Sequence, residues 1–129
     1  MKNFILFLVA SLTLSLSAYT QEKEVNAIAT IFKTGNTEEL PQYLAGQVSI
    51  GLNKSEKSYS RVQAHQVIKS FLNRHTPIDF IYRHSGNSDK RDQFNVGLLK
   101  TERGDFRLTY FLIETERGFK IKRLRIEPK

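Results

Sequence analysis

The sequence predicts an α+β fold: a curved antiparallel sheet wrapped around a long helix and N-terminal helices. Two observations carry that prediction. Apolar residues recur at helical spacing in the first part of the chain, and with a period of two after Pro77. The period-two part falls into four stretches joined by short turns, the pattern of an antiparallel meander. Helices kept apart from such a sheet define the α+β class.

The elements follow in order. Val25, Ile28, Ile31 and Phe32 predict an amphipathic helix from Glu22 to about Lys33. Gly35 suits a left-handed cap after it. Asn36 with Glu39 resembles a capping box for a short second helix through Leu40, Tyr43 and Leu44. Val48, Ile50 and Leu52 alternate as a strand, and a brief strand is expected at Lys57–Tyr59. Ser60 and Gln63 form a capping box ahead of Ala64, Val67, Ile68, Phe71 and Leu72, the clearest helix in the chain. That helix must stop before Pro77, which disfavours helical backbone at Thr76.

Ile78, Phe80 and Tyr82 then alternate with Asp79, Ile81 and Arg83. Phe94, Val96 and Leu98 alternate with Asn95, Gly97 and Leu99. Phe106, Leu108, Tyr110 and Leu112 alternate with Arg107, Thr109, Phe111 and Ile113. In the last stretch the apolar phase slips between Ile121 and Leu124, which predicts a bulge near Lys122–Arg123.

The first eighteen residues are different. One lysine precedes an uncharged run from Phe4 to Ala18, and small residues lead into a charged segment. This is the layout of a secretory signal peptide, cleaved after Ala18 or Thr20. Residues 1–20 are read as that signal and residues 21–129 as one domain, exported to the periplasm or secreted. The run is shorter than the about 20 apolar residues of a membrane span and is diluted by serine and threonine, so a membrane association is expected only through an uncleaved signal. There is no cysteine, so the core alone must hold the exported domain together.

Charge is uneven along the chain. Residues 61–129 carry fifteen basic and eight acidic groups, whereas residues 21–60 carry four and five. Lys120, Lys122, Arg123 and Arg125 form a basic strand, expected either to discourage edge aggregation or to meet an anionic envelope polymer. Nucleic acid is not an expected partner after export.

The stretches "YSRVQAHQVIKSFLNRHTP", "FIYRHSGNS" and "GDFRLTYFLIETERGFKIKRLRIE" resemble the nuclear transport factor 2-like (cystatin-like cone) superfamily. More narrowly, the chain resembles a family of short exported Bacteroidetes proteins whose domain has no known function. The resemblance implies a cone-shaped hollow between helices and sheet. It leaves activity open, because relatives of that fold include isomerases, dehydratases and non-catalytic binding domains.

Motifs for catalysis are sparse. No nucleophile elbow or phosphate loop occurs. His65, His75 and His84 have no metal-ligand spacing, and the Asn87–Asp92 loop lacks the pattern of a calcium loop. No metal and no cofactor are expected. The segment His75–Gly86 leaves one acid–base candidate: Tyr82 and His84 should share a face with Ile78 and Phe80, where an isomerase or dehydratase could use them. The alternative for His84 is a cap on the following turn. His65 is read as a helix-flank residue and His75 as a residue favouring the helix C-terminus.

The leading expectation is non-catalytic binding, either of a small apolar-bodied ligand in the cone or of a protein partner on the sheet. The ligand would meet Phe71, Phe80, Tyr82, His84 and Tyr110. Phe111 and Ile113 on the opposite sheet face suggest a homodimer contact.

Overall fold

The computed structural model describes residues 23–87 and 92–129. The signal segment lies outside the described residues, as does most of the Asn87–Asp92 loop. Helix α1 runs through residues 23–34, and Gly35 caps it with φ +75° and an N–H bond to the Ile31 carbonyl of 2.8 Å. The expected second helix is a single 3-10 turn, Leu40–Tyr43. Its anticipated capping box does not form. Asn36 Oδ1 instead accepts from the Glu38 N–H at 3.3 Å, and Pro41 lies in the first turn.

Strands β1 (Leu44–Leu52) and β2 (Ser55–Ser60) make a hairpin, and α2 (Arg61–Arg74) follows at once. The α2 capping box is complete. Ser60 Oγ accepts from the Gln63 N–H, and the Gln63 side chain accepts from the Ser60 N–H, both at 3.2 Å. The meander is β3 (Pro77–Asn87), β4 (Asp92–Thr101), β5 (Gly104–Thr115) and β6 (Gly118–Pro128). Its last two turns repeat the tetrapeptide Thr-Glu-Arg-Gly. In each, the threonine hydroxyl donates to the glycine carbonyl at 2.6 Å, and the glycine has a positive φ, +115° at Gly104 and +96° at Gly118. One local sequence makes one turn twice, because only glycine takes that backbone without strain.

The six strands lie in the order β2-β1-β6-β5-β4-β3. The sheet is mixed rather than wholly antiparallel: β1 runs parallel to β6, and every other pairing is antiparallel. Both helices cover one face, the inner one. Ile28, Ile31 and Phe32 of α1 and Ala64, Ile68, Phe71 and Leu72 of α2 are buried against Val48, Ile50, Leu99, Leu108, Leu112, Ile121, Leu124 and Ile126. Full burial of each large apolar side chain is worth about 1.5–3 kcal/mol, and this set replaces the absent disulfides.

Besides the shift between Leu44 and Ser49 in the β1–β6 pairing, three register shifts shape the meander. On β6, Phe111 pairs with Arg123 while Leu112 pairs with Ile121, so Lys122 is the extra residue of the expected bulge. On β3 the pairing skips Ile78 and again skips Arg83. A bulge bends its strand and raises the local twist, so these sites curl the long β3–β4 hairpin.

Candidate functional site

The inner sheet face can be followed strand by strand. On β5 it carries Phe106, Leu108, Tyr110 and Leu112; on β4 their partners are Leu99, Gly97, Asn95 and Gln93. On β3 the same face carries Phe80 and Tyr82, then changes phase at Arg83 and continues with Ser85 and Asn87. The outer half of the hairpin is therefore polar on its inner side, with Asn95 directly across from both Ser85 and Tyr110.

Tyr110 and Asn95 are buried there, and among the described residues neither Tyr110 Oη nor Asn95 Nδ2 has a hydrogen-bond partner. The Tyr110 ring lies 6.4 Å from that of Phe32, so α1 covers it. Burial raises the Tyr110 phenol above its ordinary value, and the nearby Tyr82 phenol adds to the rise. The hydroxyl consequently keeps its proton and remains a donor. Tyr82 is about half exposed at the rim of this region.

Tyr82 and His84 do not share a face. Tyr82 pairs with Gly97 on the inner side, whereas His84 pairs with Val96 on the outer side. Alternation would have kept the two together; the bulge at Arg83 turns the phase between them. Ile78 is likewise displaced, skipped by the pairing and 62% exposed. Asp79 accepts from the Phe80 N–H at 2.9 Å and faces Lys33 at 3.7 Å. The acid–base pair thus has no common pocket, and the ligand set splits into separate places.

Phe80 is 8% exposed and packs 6.0 Å from Phe32, within the core. Phe71 lies at the far end of the inner layer. Its ring stacks on His75 at 4.3 Å and meets Phe106 edge-on at 5.2 Å. These residues, with Arg74, Asn53 and Leu52, border a recess of about 250 Å³. His75 caps α2, with Nδ1 3.0 Å from the Phe71 carbonyl oxygen. His65 Nε2 lies 2.8 Å from the Thr37 carbonyl oxygen and ties α2 to the loop after α1. Among the described residues no three potential ligands gather as a metal site, and no helix is long and apolar enough to cross a membrane.

The outer face is uncovered by either helix and carries the more apolar phase of β4: Phe94, Val96 and Leu98. Phe94 lies 6.1 Å from Phe111, and the Arg123 guanidinium stands 5.4 Å above the Phe111 ring. Phe111 and Ile113, named above for a homodimer, are half-buried here. The basic strand is largely neutralised within the chain. Arg123 binds Glu56 through two bonds of 2.6 and 3.1 Å, Arg125 meets Glu127 at 3.2 Å, Lys122 meets Asp92, and Lys120 donates to the Gln42 carbonyl.

Over residues 25–127 the sequence matches the family described as "Domain of unknown function (DUF4783)". The chain belongs to that family. It is similar to the crystal structure of a DUF4783 protein from Bacteroides fragilis YCH46, with 27% identity and a TM-score of 0.75, covering 79% of this chain and 95% of that one. Two further likenesses concern the fold alone. One is to a protein called Rd1NTF2_04 with long sheet, at 18% identity and TM-score 0.66, covering 82% of this chain and 98% of that one. The other is to an uncharacterized protein with a cystatin-like fold from Caulobacter vibrioides, at 13% identity and TM-score 0.66, covering 88% and 89%. No curated protein matches the chain. The expected α+β cone and its family are thereby established.

Sequence reasoning missed Asn95, Ser85 and Arg83 in this DUF4783 chain. A polar residue amid an apolar β4 stretch was a visible signal for Asn95. The phase of β4 hid it, because the apolar alternate residues were the natural choice for the inside.

Proposed function

We propose that this DUF4783 domain is a non-catalytic binding domain that takes a small ligand against the inner sheet face, beside Tyr110 and Asn95. One observation carries the reading: two buried polar groups on adjacent strands that no atom of the described residues satisfies. Leaving a buried donor unmade costs about 1–3 kcal/mol, and most buried donors in native proteins are paired. A ligand with an acceptor oxygen between the two donors would relieve both. Tyr82 at the rim would pack on its apolar body.

The acid–base alternative has less support, because it needs Tyr82 and His84 in one pocket. We also take the domain to act outside the cytoplasm, on the strength of the apolar Phe4–Ala18 run and its small-residue exit.

Mass spectrometry of the protein isolated from its host tests these readings together. A mass excess under native conditions that disappears on denaturation, and that is reduced in Tyr110→Phe, supports inner-face binding. A native mass equal to the polypeptide alone counts against it. The denaturing mass reports export separately: a chain beginning at Tyr19 or Gln21 supports it, and one retaining Met1 does not.

A further inference from the structure

On the outer face, a concavity of about 360 Å³ is bordered by Arg83, His84, Val96, Leu98, Arg107 and Lys129, with Thr109 beside them. We propose that it binds a small organic oxyanion, a carboxylate or phosphate head on an apolar body. This site is separate from the inner face and does not depend on the reading given for it.

The register fixes how the parts meet. Leu98 stands between Arg107 on β5 and Ile81 on β3, and Val96 stands between Thr109 and His84. Arg107 is thus two strands from the edge that carries Arg83 and His84, about 10 Å at the usual inter-strand spacing. Val96 and Leu98 form the floor between these walls. The bulge at Arg83 makes the arrangement: it bends β3 and brings two consecutive residues, Arg83 and His84, to the border of one concavity. Bulges commonly re-aim side chains at binding sites.

Charge separates this spot from the rest of the outer face. Among the described residues no aspartate or glutamate borders the concavity. Among the described residues neither Arg83 nor Arg107 has an ion pair, whereas all four basic residues first picked out on β6 are engaged. Glu127, the cross-strand partner of Arg107, is turned to Arg125 at 3.2 Å. Two guanidiniums without counter-charges can grip a carboxylate or phosphate by charge-assisted hydrogen bonds. The volume is that of a small-molecule site, at the lower end of the usual ~300–1,000 Å³. A long polyanion would need a row of free cations, and the β6 row does not supply one.

The test is an NMR titration of isotope-labelled protein isolated from its host, with phenyl phosphate and benzoate as probes and inorganic phosphate as comparison. Saturable shifts are expected at the amides of residues 83–84, 96–98 and 107–109. The double variant Arg83→Gln/Arg107→Gln should weaken phenyl phosphate binding about ten-fold or more, the scale expected for lost charge-assisted bonds. Lys120→Gln should leave it unchanged. Both substitutions are at the surface, and an otherwise unaltered spectrum would verify the fold. The proposal is overturned if neither organic probe shifts these amides, if the shifts centre on Tyr110 and Asn95, or if the double variant binds as the parent does. Inorganic phosphate binding as tightly as phenyl phosphate would remove the apolar floor from the site.

Discussion

The ring of Phe80 lies directly on the backbone of Gly97: a β-carbon at position 97 would stand 2.3 Å from Phe80 Cζ. The two residues are on neighbouring strands, and the ring also faces Phe32 of α1. Glycine at 97 therefore lets β3, β4 and α1 close on one another. Gly97→Ala should destabilise the fold by about 1–3 kcal/mol, the usual cost of overpacking. Urea denaturation reads this as a lower midpoint. Combining it with Phe80→Leu should cost less than the sum of the single changes, because the smaller side chain vacates the contested space. Strict additivity would show that the ring and the missing β-carbon are not in contention.

What was legible in the sequence was whatever depends on near neighbours. Ser60 with Gln63, the Gly35 cap, the repeated Thr-Glu-Arg-Gly turns and the slip at Lys122 all form as their local patterns imply. The parallel pairing of β1 with β6 was not legible, because its partners are separated by most of the chain and no local rule selects them. The site was hidden by a single residue. An unmarked bulge at Arg83 inverts the phase of β3, and so parts His84 from Tyr82 and aligns Ser85 with Asn95.

The α2 cap gives a clean local test. Ser60 Oγ satisfies the Gln63 N–H at 3.2 Å, at the end of an edge strand. Ser60→Ala should cost about 0.5–2 kcal/mol. Ser60→Asp should retain most of the stability, since its carboxylate can accept the same bond near a helix N-terminus. Equal losses in both variants, measured by thermal unfolding, would place the effect in packing rather than in the cap.

Glu56 links the outer face to acid sensitivity. Hydrogen bonds from Arg123, and then from Ser49, hold its carboxyl below its ordinary value. A carboxyl lowered in the folded state contributes stability that is fully present above its unfolded value. That contribution is lost as pH falls through the folded value. The side chain is 38% exposed, so the pair is worth no more than about 0.2–1 kcal/mol after screening. Glu56→Gln should thus lower stability at pH 7 by that amount, and the difference from the parent should shrink as the pH falls through the lowered folded value. A difference that persists undiminished in acid would assign the effect to shape, not charge.

Tyr110→Phe distinguishes an inner-face ligand site from an ordinary core position. The Tyr110 hydroxyl is buried and has no partner among the described residues, and its raised pKa keeps it protonated. In ligand-free protein its removal takes away an unsatisfied donor and leaves the ring packing on Phe32 intact. The variant should then match or exceed the parent in stability, by up to about 1–3 kcal/mol. In protein still carrying its ligand the order should reverse, because the parent alone gains the bond and binding stabilises the folded state by mass action. Thermal unfolding before and after the ligand is stripped by denaturation and refolding gives both comparisons. A variant less stable than the parent by the same amount in each state would mean that the hydroxyl is satisfied within the folded chain, and the inner-face reading would lose its support.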